Sequence, residues 1–339
     1  MVTISIPLYN TQEWISRAIL SVFNQTYQDF ELLLIDDCGN DDTIKIAEQL
    51  IANHKLGYKA RIISHSCNKS LGTVRNTSID EAKGNYILFL DGDDELVPTC
   101  LETLVSYVTL HPYDFVAGSA ECRSNDGIVD KISTIYNGYN LKDIELLNQD
   151  KIVDETLIQC NIYIPIWNKL YSLTFLRNNN IRAIDGIYNE DEFFSLQVYL
   201  CAKSCKFIST VTAYHYLYKK KQRYGYTLCN QLQERKIRDY MLITKYEREF
   251  LTHYKNRSFY WEIVWRLYLL HYGEFCRRIK KHPELPKELR SEAIRYLSAL
   301  PVRRIEILTA FPKSLVFLCR YIVYSIFPNR YRIKIPQLP

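Results

Sequence analysis

The chain has 339 residues, 47% apolar and 24% charged, which excludes a disordered or low-complexity protein and leaves room for a large core and two domains. Ten cysteines stand singly with no CxxC pair, and the start MVTISIPLYN has neither a basic leader nor a signal-type apolar run; a disulfide framework is therefore not expected, and a cytoplasmic chain with reduced thiols is. The net charge of +5 hides a division: residues 1–218 hold 17 Lys and Arg against 28 Asp and Glu, a net of −11, and the remainder carries +16.

In chain order, VTISIP, closed by Pro7, reads as a strand. The stretch YNTQEWISRAILSVFNQ follows, with Trp14, Ala18 and Val22 on one stripe and Ile15, Ile19 and Phe23 beside it, the spacing of a helix. Asn10 and Glu13 are placed as a capping box would be, with Asn for the usual Ser or Thr. FELLLIDD reads as a buried strand, DDTIKIAEQLIAN as a helix, ARIIS as a strand and GTVRNTSIDEA as a short helix. NYILFLD is a fourth strand, and PTCLETLVSYVTL a helix begun by Pro98. This alternation predicts an α/β fold with a mostly parallel sheet. From about residue 120 to 215 the order is mixed, and beyond about 228 it is helical. The segment SLVFLCRYIVYSIF (314–327) is too short, and with Arg320 too charged, to span a membrane. Flanked by Lys313, Arg330 and Arg332, it fits a helix lying on a membrane surface or one packed on the domain. The basic C-terminal part points to an anionic partner or to a solvated helical face. It carries no recognisable nucleic-acid reader motif.

Ligands of parallel sheets bind beyond the carboxyl ends of the strands. Asp36–Asp37 and Asp91–Asp94 both fall there. YILFLDGDDEL sets Asp91, Asp93, Asp94 and Glu95 almost side by side, and their mutual repulsion calls for a cation. Clustered carboxylates suit Mg²⁺ or Mn²⁺, which share coordination with substrate phosphates; a solvated acidic turn is the plainer reading. DGD alone is a weak pattern. A phosphatase of the haloacid dehalogenase type also places DxD behind a strand, but expects Thr or Val where Glu95 stands. Further along, IYNEDEFFSLQVY reads as a helix whose first turn carries Glu190, Asp191 and Glu192, acids that would also serve the helix macrodipole.

The segments VTISIPLYN, VFNQTYQDFELLLIDDCGNDDT, NKSLGTVRNTSIDEAKGNYILFLDGDDEL and WNKLY follow one another in order. Over roughly residues 1–225 the set resembles the family 2 inverting glycosyltransferases of the GT-A fold. The resemblance implies a catalytic domain over 1–225 with a Rossmann-like, mostly parallel central sheet. A basic, mainly helical region over 226–339 then follows, suited to a membrane surface. It implies that Pro7, Tyr9, Asn10, Asp36 and Asp37 hold the base and ribose of a nucleotide sugar. A carboxylate at Asp37 can accept the uracil N–H, which suits a UDP-sugar. Cys38 stands where the family has Gly. Arg75 and Asn76 match the family's ARN segment, with Val74 for Ala, and put Arg75 near the base or the phosphates. Asp91 and Asp93 match its DxD: Asp93 a ligand of Mn²⁺ or Mg²⁺, Asp91 a contact to the metal or the ribose, with Asp94 supporting the loop.

An inverting displacement needs a carboxylate facing away from the diphosphate to take the acceptor's proton, and the resemblance gives that role to Asp191. Trp167, Asn168 and Glu190 fall on the acceptor side. Lys219 and Arg223, with Lys220 and Lys221, would close over the departing diphosphate. His215 is a possible ligand or a structural residue. The expected activity is transfer of a sugar to a hydroxyl of a lipid-linked glycan acceptor at the inner face of the cytoplasmic membrane. The rival readings are a non-catalytic nucleotide-sugar-binding module and a nucleotidyltransferase, which would want a Gly-rich loop where PLYNTQEW has none.

Overall fold

The computed structural model describes residues 1–124, 133–135, 143–158, 165–217, 226–260, 262–264, 267 and 285–298. The N-terminal part alternates as its periodicity predicts: β1 (Val2–Leu8), α1 (Ile15–Phe23), β2 (Phe30–Asp36), α2 (Thr43–Asn53), β3 (Ala60–Ser64), α3 (Leu71–Glu81) and β4 (Tyr86–Phe89). There follow β5 (Glu95–Leu96), α4 (Cys100–Leu110), β6 (Phe115–Ser124), β7 (Ser133–Ile135), β8 (Ile144–Leu146) and α5 (Gln149–Val153), the last running into a wider turn over Asp154–Ile158. The chain continues through β9 (Lys169–Ser172), α6 (Leu173–Asn178), α7 (Glu190–Cys201), β10 (Cys205–Leu217), α8 (Tyr226–Leu251) and α9 (Lys287–Ser298).

All the described strands join one sheet in the order β3-β2-β1-β4-β9-β6-β10-β5, with β7 added to β6 and β8 to β10. The β3-β2-β1-β4 side is wholly parallel, as is β6–β10, and most paired residues lie in these ladders. Strand β9 enters antiparallel between β4 and β6. Helices cover both faces, so the central strands are apolar on both sides: Leu32, Leu33, Leu34 and Ile35 of β2 are wholly buried. The period of two sorts the side chains between two cores. Ile87, Phe89, Phe115, Ala117 and Tyr171 point into the core formed with α5, α6 and α7. Leu88, Leu90, Val116 and Leu170 point into that formed with α1 and α4.

One local expectation changes. Asn10 does not cap α1: it takes φ 52° and its Oδ1 accepts the Asn40 N–H at 2.9 Å, while α1 begins at Ile15 with no side-chain cap. The basic tract 313–332 lies outside the described residues. Among those described, no helix is long and apolar enough to cross a membrane.

The turn into β9 shows how the sheet fixes its neighbours. Asn168 sits at φ 58°, a left-handed conformation that Asn tolerates better than most side chains. It is 1% exposed, its Nδ2 donates to Ser119 O at 2.9 Å, and its Oδ1 accepts the Thr212 hydroxyl at 2.6 Å. The side chain, placed on the acceptor side by the resemblance, stitches β9 to β6 and β10. Replacing Asn168 with Ala strains the backbone and removes both bonds, leaving the Thr212 hydroxyl and Ser119 O only their 3.3 Å contact with each other. We expect a loss of about 2–4 kcal/mol in denaturant unfolding, with unchanged KM for the acceptor; a raised acceptor KM without loss of stability would restore the acceptor role.

Candidate active site

Three turns at the carboxyl ends of the parallel strands build one cleft. At the end of β1, Pro7 pairs in register with Ile35, Tyr9 is 46% exposed, and Asn10 ties across to the 39–40 turn. At the end of β2, the Asp36 carboxylate accepts the Cys38 N–H at 3.0 Å. Cys38 adopts φ 57°, the reason Gly suits this position, and its thiol donates to His65 O at 3.0 Å. Asp37 is buried and hooks in the next segment. Its Oδ1 takes His65 Nδ1 at 2.7 Å and the Lys69 N–H at 2.9 Å, and its Oδ2 takes the Ser70 N–H at 3.0 Å. His65 Nε2 in turn meets the Thr77 hydroxyl at 2.9 Å. A carboxylate offers about four acceptor positions, so Asp37 retains room for one more donor besides this structural task.

The acid loop closes the end of β4. Asp91, Asp93 and Asp94 each present an oxygen within 4.8 Å of the others. Asp94 is 1% exposed and its oxygens are engaged: His215 Nδ1 lies at 3.0 and 3.1 Å and the Tyr216 N–H at 3.0 Å. Burial raises the pKa of Asp94; burial opposes the charge of His215, but the Asp94 hydrogen bond and charge outweigh it and raise its pKa. Trp167 stacks on His215 with ring centroids 5.0 Å apart and is only 8% exposed. In this position it braces the residue that holds Asp94. Arg17, passed over in the sequence, donates from Nη2 to Asp93 O at 2.6 Å, and its guanidinium lies 3.4 Å from the Tyr216 ring centroid. Tyr216 in turn donates to Glu95 at 2.9 Å.

Arg75, on α3, is 2% exposed and donates from Nη2 to Asp91. Its Nε and Nη1 have no hydrogen-bond partner. A buried guanidinium with two idle donors carries a penalty of about 1–3 kcal/mol for each, which an anionic ligand would relieve. Asn76, its neighbour, is occupied elsewhere: it exchanges hydrogen bonds with the Ala183 backbone at 2.9 and 3.0 Å and so fastens the approach to α7.

Helix α7 starts behind Asn189, at φ 62°. Glu190 is buried, and burial, with the charge of Asp191, lifts its pKa to about 8. Asp191 is also raised by burial; a backbone N–H, Lys169 and Arg75 work against this, and Asp91 adds to it. Lys169 is the residue that sequence reading missed. It is 1% exposed on β9, its ammonium donates to Pro165 O, and burial draws its pKa down to about 7 against the charge of Asp191. A lysine inside the apolar stretch IWNKLYSLTF was the one available signal. Arg75 and Asp91 act on both Glu190 and Asp191, so the acid loop and the start of α7 share one electrostatic field. Lys219 and Arg223 lie outside the described residues.

Hard oxygen donors suit a divalent cation of the Mg²⁺ or Mn²⁺ kind. With Asp94 engaged by His215, Asp91 and Asp93 are the residues that fit as its holders.

The family described as Glycosyl transferase family 2 matches residues 3–171. The glucosyltransferase WfgD of Escherichia coli is 32% identical over 192 residues, covering 55% of this chain and 73% of that protein. The chain belongs to glycosyl transferase family 2. Its fold agrees with that of Staphylococcus aureus TarS, residues 1–349, at a TM-score of 0.65 and 17% identity over 91% of this chain and 82% of that one. TarS has also been solved with UDP-GlcNAc, and that structure matches at a TM-score of 0.63 and 19% identity over 88% and 81%. WfgD is described as acting from UDP-Glc on α-D-GlcNAc-diphosphoundecaprenol. A second relative, the cholesterol galactosyltransferase of Borreliella burgdorferi, is 29% identical over 66% of this chain and 61% of its own length. The architecture is thus the GT-A fold of a family 2 glycosyltransferase, with the acid loop and α7 at its cleft.

The left-handed turn at Cys38 yields a stability test. Cys38→Gly should keep nucleotide binding and shift unfolding by no more than about 1 kcal/mol, since relief of strain offsets the lost thiol contact and added chain entropy. Cys38→Val, β-branched at positive φ, should lose about 1–3 kcal/mol. Equal stability of the two variants in denaturant melts would contradict this account of the turn.

Proposed function

We propose that this family 2 glycosyltransferase moves a sugar from a UDP-sugar to a hydroxyl of a glycan acceptor carried on a lipid diphosphate, with inversion at the anomeric carbon. The observation that carries the reading is Arg75: a buried guanidinium with two idle donors, beside Asp91 and in the field of Asp191. An anion belongs there, and a diphosphate fits. The turns at Pro7, Tyr9 and Asn10 and at Asp36 and Asp37 hold the uridine, with Asp37 accepting the uracil N–H. Asp93 and Asp91 would hold Mn²⁺ or Mg²⁺, and a bound cation there would neutralise charge developing on the diphosphate. Lys219 and Arg223 add positive charge to the leaving group.

In the transfer, Asp191 takes the proton of the acceptor hydroxyl. The freed oxygen bonds to the anomeric carbon as the bond from that carbon to the β-phosphate oxygen breaks, and UDP departs with the electron pair. Glu190, whose pKa burial and the charge of Asp191 lift to about 8, donates a hydrogen bond to the acceptor in its protonated form. The setting is the inner face of the cytoplasmic membrane, where the +16 charge of the C-terminal part favours anionic lipid. The diphosphate-lipid acceptor named for WfgD supports the acceptor class.

UDP binding and UDP-sugar turnover by the purified protein test the assignment. Asp93→Ala should abolish metal-dependent UDP binding. Asp191→Asn should keep UDP binding and lose turnover by about 10²-fold or more. Retained turnover in the second variant would remove Asp191 as the base, and metal-independent binding of UDP would remove the metal.

The raised pKa of Asp191 also fixes the sign of the pH dependence. The base works ionised, so kcat should fall as pH drops through that raised value, with an acid limb above the ordinary Asp value of about 4. A limb at or below that value in the kcat–pH profile would contradict the role.

A further inference from the structure

The turn that presents Asp191 is held in two left-handed steps, Gly186 at φ 77° and Asn189 at φ 62°, and no side chain caps α7. Such a backbone persists only where its surroundings over-determine it. One side is held by the 70–76 region: the Ser70 hydroxyl accepts the Gly186 N–H at 2.8 Å, and Asp185 accepts from Thr73 and Asn76 at 2.9 and 3.0 Å. The other side is held by α8, well beyond residue 171 where the family match stops.

Three residues on adjacent turns of α8 grip this segment at successive points. Arg235 Nη2 donates to Gly186 O at 2.8 Å. Asp239 Oδ2 accepts the Tyr188 N–H at 3.0 Å. The Tyr240 hydroxyl donates to Glu192 Oε1 at 2.6 Å. Asp239 and Tyr240 are 8% and 9% exposed, so water competes poorly for these bonds. The grip is anchored: Ile243 is wholly buried in the core that also holds Phe193 and Phe194 of α7, and Tyr246 packs on Phe193 with ring centroids 5.7 Å apart. A rigid helix therefore contacts the backbone three residues before Asp191 and the side chain one residue after it.

We propose that Asp239 and Tyr240 are positioning residues for the reaction, setting where the Asp191 carboxylate stands relative to the acceptor. This rests on Asp191 being the base. Neither residue touches the reacting atoms, so the donor side should not register their loss. Small displacements of a reacting group lower rate steeply, whereas ground-state donor binding made elsewhere is spared.

The test measures kcat, KM for the UDP-sugar, UDP affinity and Tm for the full chain and its variants Tyr240→Phe, Asp239→Ala, Asp239→Asn, Thr244→Ala and Asp191→Asn. Tyr240→Phe keeps the ring in place and removes only the donor. It and Asp239→Ala should lower kcat about tenfold or more, with UDP affinity and donor KM unchanged. Asp239→Asn retains an oxygen for the Tyr188 N–H and should recover most of kcat. Thr244→Ala, on the same helix with its hydroxyl bonded to Tyr240 O at 2.8 Å, should lower Tm without lowering kcat. If kcat merely follows Tm across the series, or if Tyr240→Phe and Asp239→Ala turn over like the parent while Asp191→Asn is dead, the inference falls and the base assignment stands. If Asp191→Asn turns over like the parent, both fall.

Discussion

Like charge crowded into one cleft is the constraint to which the rest of the structure responds. Asp91, Asp93 and Asp94 converge on the acid loop, and Asp91 acts on Glu190 and Asp191 across the cleft. Unit charges a few ångströms apart in a partly buried site repel by several kcal/mol. The protein meets each differently. Asp94 is matched by His215, Asp91 by the guanidinium of Arg75, and Asp191 by the field of Lys169 and Arg75. Glu190 keeps its proton to about pH 8. The result is graded: Glu190 has its pKa lifted to about 8, Asp94 is buried with an imidazole, Asp91 is paired with a guanidinium, and Asp93 stands beside both in the acid loop.

The turns that carry these groups share a conformational device. Asn10, Cys38, Ser70, Asn168 and Asn189 all have positive φ without being glycine, and all border the cleft or brace its loops. A left-handed step reverses the chain in a short distance and aims a side chain where a regular strand end would not. Each step is tied by hydrogen bonds: Asn10 to the 40 turn, Ser70 to Asp37, Asn168 to Ser119 and Thr212.

The parallel half of the fold was legible in the sequence because it obeys simple periods. Doubly buried strands read as apolar runs, α1 reads as a stripe, and acids placed after a strand fall at a binding edge by topology. The resemblance to family 2 supplied the roles. What escaped was set by contacts between residues far apart in sequence, which leave no local pattern. Arg17 meets the Asp93 backbone across 76 positions and His215 meets Asp94 across 121. Lys169 was passed over because nothing nearby in sequence shows that β9 runs between two other strands. Trp167 and Asn168 were placed on the acceptor side by the resemblance of WNKLY, and that says nothing of their distant partners: Trp167 stacks on His215 and Asn168 bonds Ser119 and Thr212. The expected capping box failed for a related reason: Asn10 had a better acceptor task in the neighbouring turn.

The place of β9 in the sheet has a consequence for how the chain reaches this state. Strands β4 and β6 come early, yet they never pair with each other; the gap between them is filled by β9, which begins 45 residues after β6 ends, and β5 gains its partner only from β10. During synthesis the N-terminal strands must therefore wait with open edges while the acid loop lacks the imidazole that will hold it. Contacts of such long range make for slow acquisition of the native sheet, and exposed strand edges invite pairing with other chains. A nascent polypeptide ending near residue 171 would carry the matched family segment and most of β9, and still lack β10, the partner of β5, β6 and β8.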